Sequence, residues 1–143
     1  MEWVAECHCG QLKAITNGEP DRVYVCHCQA CQRRTGAVVN STTRWLLSQV
    51  HFEGDSNVFV RKGASSAEIH FHFCPRRGSN VYWQGDRAPQ WCAIAVGSFA
   101  DPHFPPPTAS VWEESKHPWV QLPDDTTHFA QGFPRPPSTE GSR

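Results

Sequence analysis

The feature that most constrains this chain is the grouping of its cysteines. Six of the seven fall in three clusters: Cys7-His8-Cys9-Gly10, Cys26-His27-Cys28-Gln29-Ala30-Cys31 and Cys74-Pro75-Arg76-Arg77-Gly78. An odd number of cysteines cannot all pair within one chain, so a complete disulfide framework is excluded by arithmetic. Cys-x-Cys and Cys-x-x-Cys let one stretch of backbone offer two thiolates to one ion, and zinc favours tetrahedral sulfur and nitrogen donors. One such pair is a weak signal. Three clusters make zinc ligation the leading reading, ahead of inert cysteines packing as small hydrophobes. Cys92 stands alone in an apolar run, and there inert packing is the favoured reading.

The rest of the composition fits a small metal-stapled domain. A chain of 143 residues is the size of one domain, and its 38% hydrophobic content is lean for a core. Twelve prolines with six Trp, eight Phe and two Tyr favour a β-rich, loop-rich fold whose few strands bury large rings. Thirteen basic residues against fourteen acidic ones leave a net charge of −1, without the basic stripe that nucleic-acid binding requires. Met1 to Glu6 carries neither the basic nor the apolar region of a secretory signal, and the apolar stretch Trp91 to Ala100 is too short to span a bilayer. The expectation is a cytoplasmic protein with reduced thiols and no membrane partner.

Turn signals every eight to twelve residues indicate short strands. Strands are expected over Gln11–Thr16, Val23–Cys26 and Val38–Thr43, with Val50–Glu53 and Val58–Arg61 following across Gly54-Asp55. Residues 28–35 read as a tight turn or one short helix ended by Gly36. Ala67–Cys74 alternates, with Ile69, Phe71 and Phe73 on one face and Glu68, His70, His72 and Cys74 on the other. Val81–Gln84 and Trp91–Phe99 complete the sheets. From about residue 101 the three prolines Pro105-Pro106-Pro107 impose an extended connector. Beyond it, Trp112, Trp119, Leu122 and Phe129 are expected to anchor an irregular segment, the domain ending near 133 and residues 134–143 forming a disordered tail.

Cys-x-Cys-Gly, then Cys-His-Cys-x-x-Cys-x-Arg-x-Thr-Gly (Cys26 to Gly36), then Phe-Cys-x-x-x-Gly-Ser (Phe73 to Ser79) resembles the glutathione-dependent formaldehyde-activating enzyme (GFA) family, which also holds the domain of centromere protein V. Gly97-Ser98-Phe99, Asp101-Pro102 and Trp119 are similar to that family's C-terminal markers, so the resemblance runs from Cys7 to about Trp119. It implies an all-β, Mss4-like zinc-binding fold with little helix, in which Cys7, Cys9 and Cys74 belong to a structural zinc and Cys26, Cys28 and Cys31 to a catalytic one. It also implies a carbon–sulfur lyase that joins glutathione and formaldehyde into S-hydroxymethylglutathione or reverses that step. This chain departs from the family pattern at one point: the third cluster ordinarily reads Cys-x-x-Cys-Gly, and position 77 is Arg. A guanidinium has no lone pair to offer, so the first site is left with three thiolates. His72 could complete it, water or an outside ligand could fill the gap, or the zinc could be lost with Arg77 pairing the thiolate charge.

Three thiolates on one zinc leave a fourth position open and the centre near −1, a poor Lewis acid for water but a good partner for a soft thiol. A thiol bound there ionises near neutral pH and can attack an aldehyde carbon. Glutathione carries two carboxylates, which makes Arg33 and Arg34 its candidate partners, with Arg44 and Lys62 more distant candidates and solvated surface charge the plain alternative. His27 is either a proton shuttle or, as the favoured reading, points away from the metal. Thr35-Gly36 shapes the turn after the motif, and His8, His51, His103, His117 and His128 have no spacing that forces a metal role. The alternative function is a non-catalytic zinc module that binds a thiol compound or a protein.

Overall fold

Short apolar–polar alternations become strands, and one seven-residue stretch becomes a helix. In the computed structural model, which describes residues 1–63 and 66–134, the elements in chain order are β1 Glu2–Glu6, β2 Lys13–Asn17, β3 Arg22–Cys26, α1 Gln29–Thr35, β4 Asn40–Leu46, β5 Val50–Glu53, β6 Asn57–Lys62, β7 Glu68–Phe73, β8 Asn80–Gly85, β9 Trp91–Ala95, β10 Ala109–Val111 and β11 Thr127–His128. The fold is mostly sheet with one α-helix among the described residues, consistent with the all-β Mss4-like expectation. None of these elements is a helix long and apolar enough to cross a membrane. From residue 135 on, the expected disordered tail lies outside the described residues.

The chain divides into two compact units, one built from Met1–Arg22 and Thr42–Pro105, the other from Val23–Ser41 and the chain from Pro106. In the first unit β2 pairs antiparallel with β1 on one side and β5 on the other, Thr16 standing opposite both Trp3 and Val50. The strand β1 was not among those expected; β5 and β6 form on either side of Gly54-Asp55 as expected, β5 pairing with β2 and β6 with β7. Gly54 explains the break. It sits at φ +91°, and a Cβ there would lie 1.9 Å from the Gln11 carbonyl oxygen, so only glycine lets the chain leave β5 against that backbone.

The antiparallel run β4–β9–β8–β7–β6 supplies the rest of this unit. Its core holds Trp45, Phe71, Val81, Cys92 and Ile94, each 2% exposed or less. The Trp45 indole donates to Thr43 Oγ1 at 2.7 Å, and that hydroxyl donates on to the Ile94 carbonyl at 3.0 Å, so the buried polar atoms are satisfied. The expected alternation along β7 holds as far as His72. A register shift between His72 and Phe73 then breaks it, and Cys74 follows after the strand has ended. The strand expected over Trp91–Phe99 stops at Ala95, and Val96–Phe99 turns as a short 3-10 helix closed by Ala100 at φ +49°.

In the second unit β10 runs parallel to β3, with Cys26 opposite Val111, and parallel to β11 on its other side. Of the two readings for residues 28–35, the helix is the one formed; Gly36 ends it at φ +74° and donates its N–H to Gln32 O at 2.8 Å. Cys26, Cys31 and Val111 form the buried cluster here, with Tyr24, Trp112, Phe129 and Phe133 packed around it. Trp112 and Phe129 are therefore anchors, as expected. Trp119 is not: it is 69% exposed, and its ring meets His117 edge-on at 6.2 Å instead of entering the core.

Candidate metal centres

All seven cysteines are free thiols, and six of them gather into two groups whose sulfurs lie within 4.8 Å of one another. The first group is local in sequence. β3 ends at Cys26, and Cys28 takes the N-cap position of α1, its sulfur accepting the Cys31 backbone N–H at 3.3 Å. One helical turn thus folds Cys31 back towards Cys26 and Cys28. Cys26 and Cys31 are buried, and Cys28 is half-buried. The side-chain amide of buried Asn40 lies 3.9 Å from the Cys31 sulfur.

Ionisation of this group is resisted until a cation arrives. The Cys26 thiol is pushed up by its hydrogen bond to Cys28, then by Cys31 and by burial. At Cys31 the hydrogen bond with Cys26 works downwards, but Cys28 and burial outweigh it, and the thiol is raised on balance despite the charge of Arg34. Three sulfurs held this close cannot all become thiolates without a positive centre among them, which is the donor chemistry zinc satisfies.

The second group joins residues far apart in sequence and lies in the first unit. Cys7 begins a turn in which Gly10, at φ +81°, donates to Cys7 O at 2.9 Å and Leu12 N–H reaches Cys7 Sγ at 3.3 Å. Cys74 begins a matching turn in which Gly78, at φ +76°, donates to Cys74 O at 2.7 Å. The sulfurs of Cys7 and Cys9 are 3.5 Å apart, and those of Cys9 and Cys74 3.6 Å. Four sulfurs around zinc at ~2.3 Å would stand about 3.8 Å apart, so these three fit such an ion. Burial opposes ionisation of Cys74, yet the Gln11 side-chain amide and the backbone N–H groups of Arg77 and Arg76 win, and its thiol falls to about 6. Cys9 is raised: an N–H bond from Gln11 lowers it, but burial and the neighbouring thiols prevail.

The group holds three donors among the described residues. Arg77 is exposed, and only its backbone serves the Cys74 sulfur. His72 lies outside the group; its Nδ1 hydrogen-bonds Ser56 Oγ at 2.9 Å, and its ring stacks on Tyr82. Gln11 is the contributor the sequence did not mark. Its Nε2 donates to Cys74 Sγ at 3.3 Å and Asp55 O at 2.8 Å, while its Oε1 accepts the Asp55 N–H at 2.9 Å. Its place just after the Cys-x-Cys-Gly turn was the available signal.

The remaining candidates separate. Arg33 lines a cleft of about 270 Å³ with Gln29, Gln32, Glu114, Ser115 and His117. Arg34 acts electrostatically on Cys31. Arg44 is committed elsewhere, its Nε and one terminal nitrogen both donating to Asp21 Oδ2 at 2.8 and 2.5 Å and its guanidinium lying over the Trp91 ring, and Lys62 ends the strand β6. His27 is fully buried, belongs to neither thiol group, and hydrogen-bonds Ser110 Oγ through Nε2 at 2.8 Å; burial lowers its pKa. Cys92 is fully buried, its thiol pushed up to about 12 by burial alone.

No curated protein sequence matches the chain. Among solved structures, a crystal structure of a Rhodobacter sphaeroides protein superposes with a TM-score of 0.53 at 19% identity, covering 72% of this chain and 91% of that one, a likeness of fold. The sequence model of the family described as glutathione-dependent formaldehyde-activating enzyme matches residues 2–115, which takes in all three cysteine clusters but stops short of Trp119. Over that span, and with its cysteines gathered into two groups able to hold a metal, the chain belongs to the glutathione-dependent formaldehyde-activating enzyme family.

Proposed function

We propose that this protein is a zinc-dependent carbon–sulfur lyase that forms or cleaves an S-hydroxymethylglutathione-like adduct at Cys26, Cys28 and Cys31. The observation that carries the reading is the convergence of these three thiols, and of no fourth donor from the described residues, in a chain of this family. A zinc ion held by them would supply the charge that draws off a thiol proton, and a fourth position suited to soft sulfur. In the forward direction a sulfur–carbon bond forms, the carbonyl electron pair moves to oxygen, and the thiol proton ends on that oxygen.

The chain's own part is to hold and orient. The end of β3 and the first turn of α1 fix the three sulfurs, while Arg34 favours the thiolate form of Cys31. Arg33 offers a cation to a glutathione carboxylate from the cleft on α1. At about 270 Å³ that cleft is below the ~300–1,000 Å³ of sites that enclose a drug-sized ligand, so it suits one end of the tripeptide. Loss of free formaldehyde with glutathione present should exceed the uncatalysed rate, and Arg33→Ala should raise KM for glutathione more than it lowers kcat. Cys28→Ser should lose zinc and activity together; a variant that loses zinc and keeps the rate refutes the proposal.

A second reading is a zinc module that binds a thiol compound or a protein without turnover. The position of His27 favours it, since the histidine between two of the thiols is bonded to Ser110 and outside their group. Calorimetry showing glutathione binding with no adduct formed would select it.

A further inference from the structure

The thiol groups leave one cluster of donors unused, on the polar face of β7. Glu68, His70 and His72 stand at i, i+2 and i+4 and so share that face, while Phe71 between the histidines enters the core at 2% exposure. β8 runs antiparallel beside them, Gln84 opposite His70, and ends at Gly85. The next residue folds back: Asp86 N–H donates to Glu68 O at 3.0 Å, which brings the Asp86 carboxylate to the start of β7. His70 Nε2 then lies 3.3 Å from Asp86 Oδ1 and 3.7 Å from Glu68 Oε1, and all three donor atoms fall within 4.8 Å.

These separations are longer than the ~2.7–3.2 Å of an N–H···O hydrogen bond, so the imidazole is not locked to either carboxylate. They exceed by a few tenths of an ångström the edge of about 3.0 Å expected for adjacent nitrogen and oxygen donors around one octahedral cation at ~2.1 Å, so the side chains need close only slightly to hold one. The side chains of His70, Glu68 and Asp86 are 36%, 47% and 56% exposed, so an ion reaches them from water. A cleft of about 380 Å³ opens beside them, lined by His70, His72, Gln84 and Asp86. His72 stands in its wall with a fixed ring, Nδ1 bonded to Ser56 and the ring stacked on Tyr82 at 4.5 Å. An imidazole oriented through one ring nitrogen is how proteins commonly prepare the other for a ligand.

We propose that Glu68, His70 and Asp86 form a binding site for a divalent transition-metal ion of nitrogen and oxygen preference, distinct from the cysteine centres. One imidazole and two carboxylates suit Mn²⁺ and Ni²⁺, ions that do not require sulfur. The two carboxylates also gain from a cation the attraction they cannot give one another.

The test uses the full, untagged chain with its cysteine sites loaded with zinc, titrated with Mn²⁺ under electron paramagnetic resonance and with Ni²⁺ by calorimetry. Saturable binding of one ion per chain is expected. His70→Ala and Asp86→Asn should each weaken it by about tenfold or more, with zinc content and circular dichroism unchanged. If His70→Ala does not fold, Asp86→Asn alone decides. Wild-type protein that binds neither ion saturably, or a folded variant that binds like wild type, overturns the proposal.

Discussion

Replacing Arg77 by cysteine adds a fourth sulfur to the group formed by Cys7, Cys9 and Cys74. The turn already brings the backbone of position 77 to the sulfurs: Gly78 accepts the left-handed conformation at φ +76°, the Arg77 N–H serves the Cys74 sulfur, and the exposed Arg77 side chain leaves room for a smaller one. The existing sulfurs, 3.5 and 3.6 Å apart, need to spread by only a few tenths of an ångström to the ~3.8 Å of a tetrathiolate zinc. A structural zinc contributes ~10–16 kcal/mol through four ligands, so one ligand accounts for about 3 kcal/mol, or about a hundredfold in affinity. The guanidinium charge lost beside a centre moving towards −2 offsets part of this. For a chain of this size the gain corresponds to a rise in Tm of roughly 10 °C in the presence of zinc. Zinc per chain after mild chelation should therefore be about one in the wild type and about two in Arg77→Cys, and the Tm difference should vanish when all metal is stripped. Wild-type protein that keeps two zincs as firmly as the variant would refute the account of an incomplete site. A variant that gains no metal would show that position 77 does not face the sulfurs.

Three further outcomes follow from packing and charge. Gly54→Ala should lower stability by about 3 kcal/mol or more in urea titration, because the added Cβ meets the Gln11 backbone at 1.9 Å under a positive φ; a loss under about 1 kcal/mol would contradict the geometry. Cys92 should resist iodoacetamide at pH 8 until the chain unfolds, since its thiol is fully buried and raised to about 12; labelling as fast as exposed Cys9 would show that the core opens. Glu113 is pushed up by burial but pulled further down by its hydrogen bonds with His128, at 2.6 Å, and Ser110, so its carboxylate is lowered on balance. A lowered carboxylate stabilises the fold above its unfolded pKa, and that stability is lost as pH falls through the folded value. Glu113→Gln should cost roughly 1 kcal/mol at pH 7, and the gap between the two proteins' urea midpoints should close in acid; a constant gap would sever the link to ionisation.

Much of the middle centre was legible because it is local. Cys26, Cys28 and Cys31 span six residues, and their arrangement needs only the end of one strand and one turn of helix. The αL position of Gly36 and the missing donor at Arg77 are equally local. What the alternation along β7 implied held only while the pleat was regular; the shift after His72 removed the basis for placing His72 beside Cys74, a change set by pairing with β8.

Several features had no local signal. β5 reads as a strand from its own residues, but its choice of β2 over β6 rests on contacts across the chain and on the room left by Gly54. Trp119 reads as an anchor because large rings are usually buried, yet it stays in water with its ring edge-on to His117. Asp86 is unremarkable in sequence, and the position of Gln11 after the Cys-x-Cys-Gly turn does not say which sulfur it reaches. Folding carries Gln11 to a sulfur 63 residues away and brings the Asp86 carboxylate back to Glu68 and His70. The sequence by itself determined which residues can donate to a metal and which short segments pleat or turn, because those depend on side-chain chemistry and local backbone freedom. Only the tertiary structure decided which donors meet, because meeting depends on strand pairing and packing summed over the whole chain.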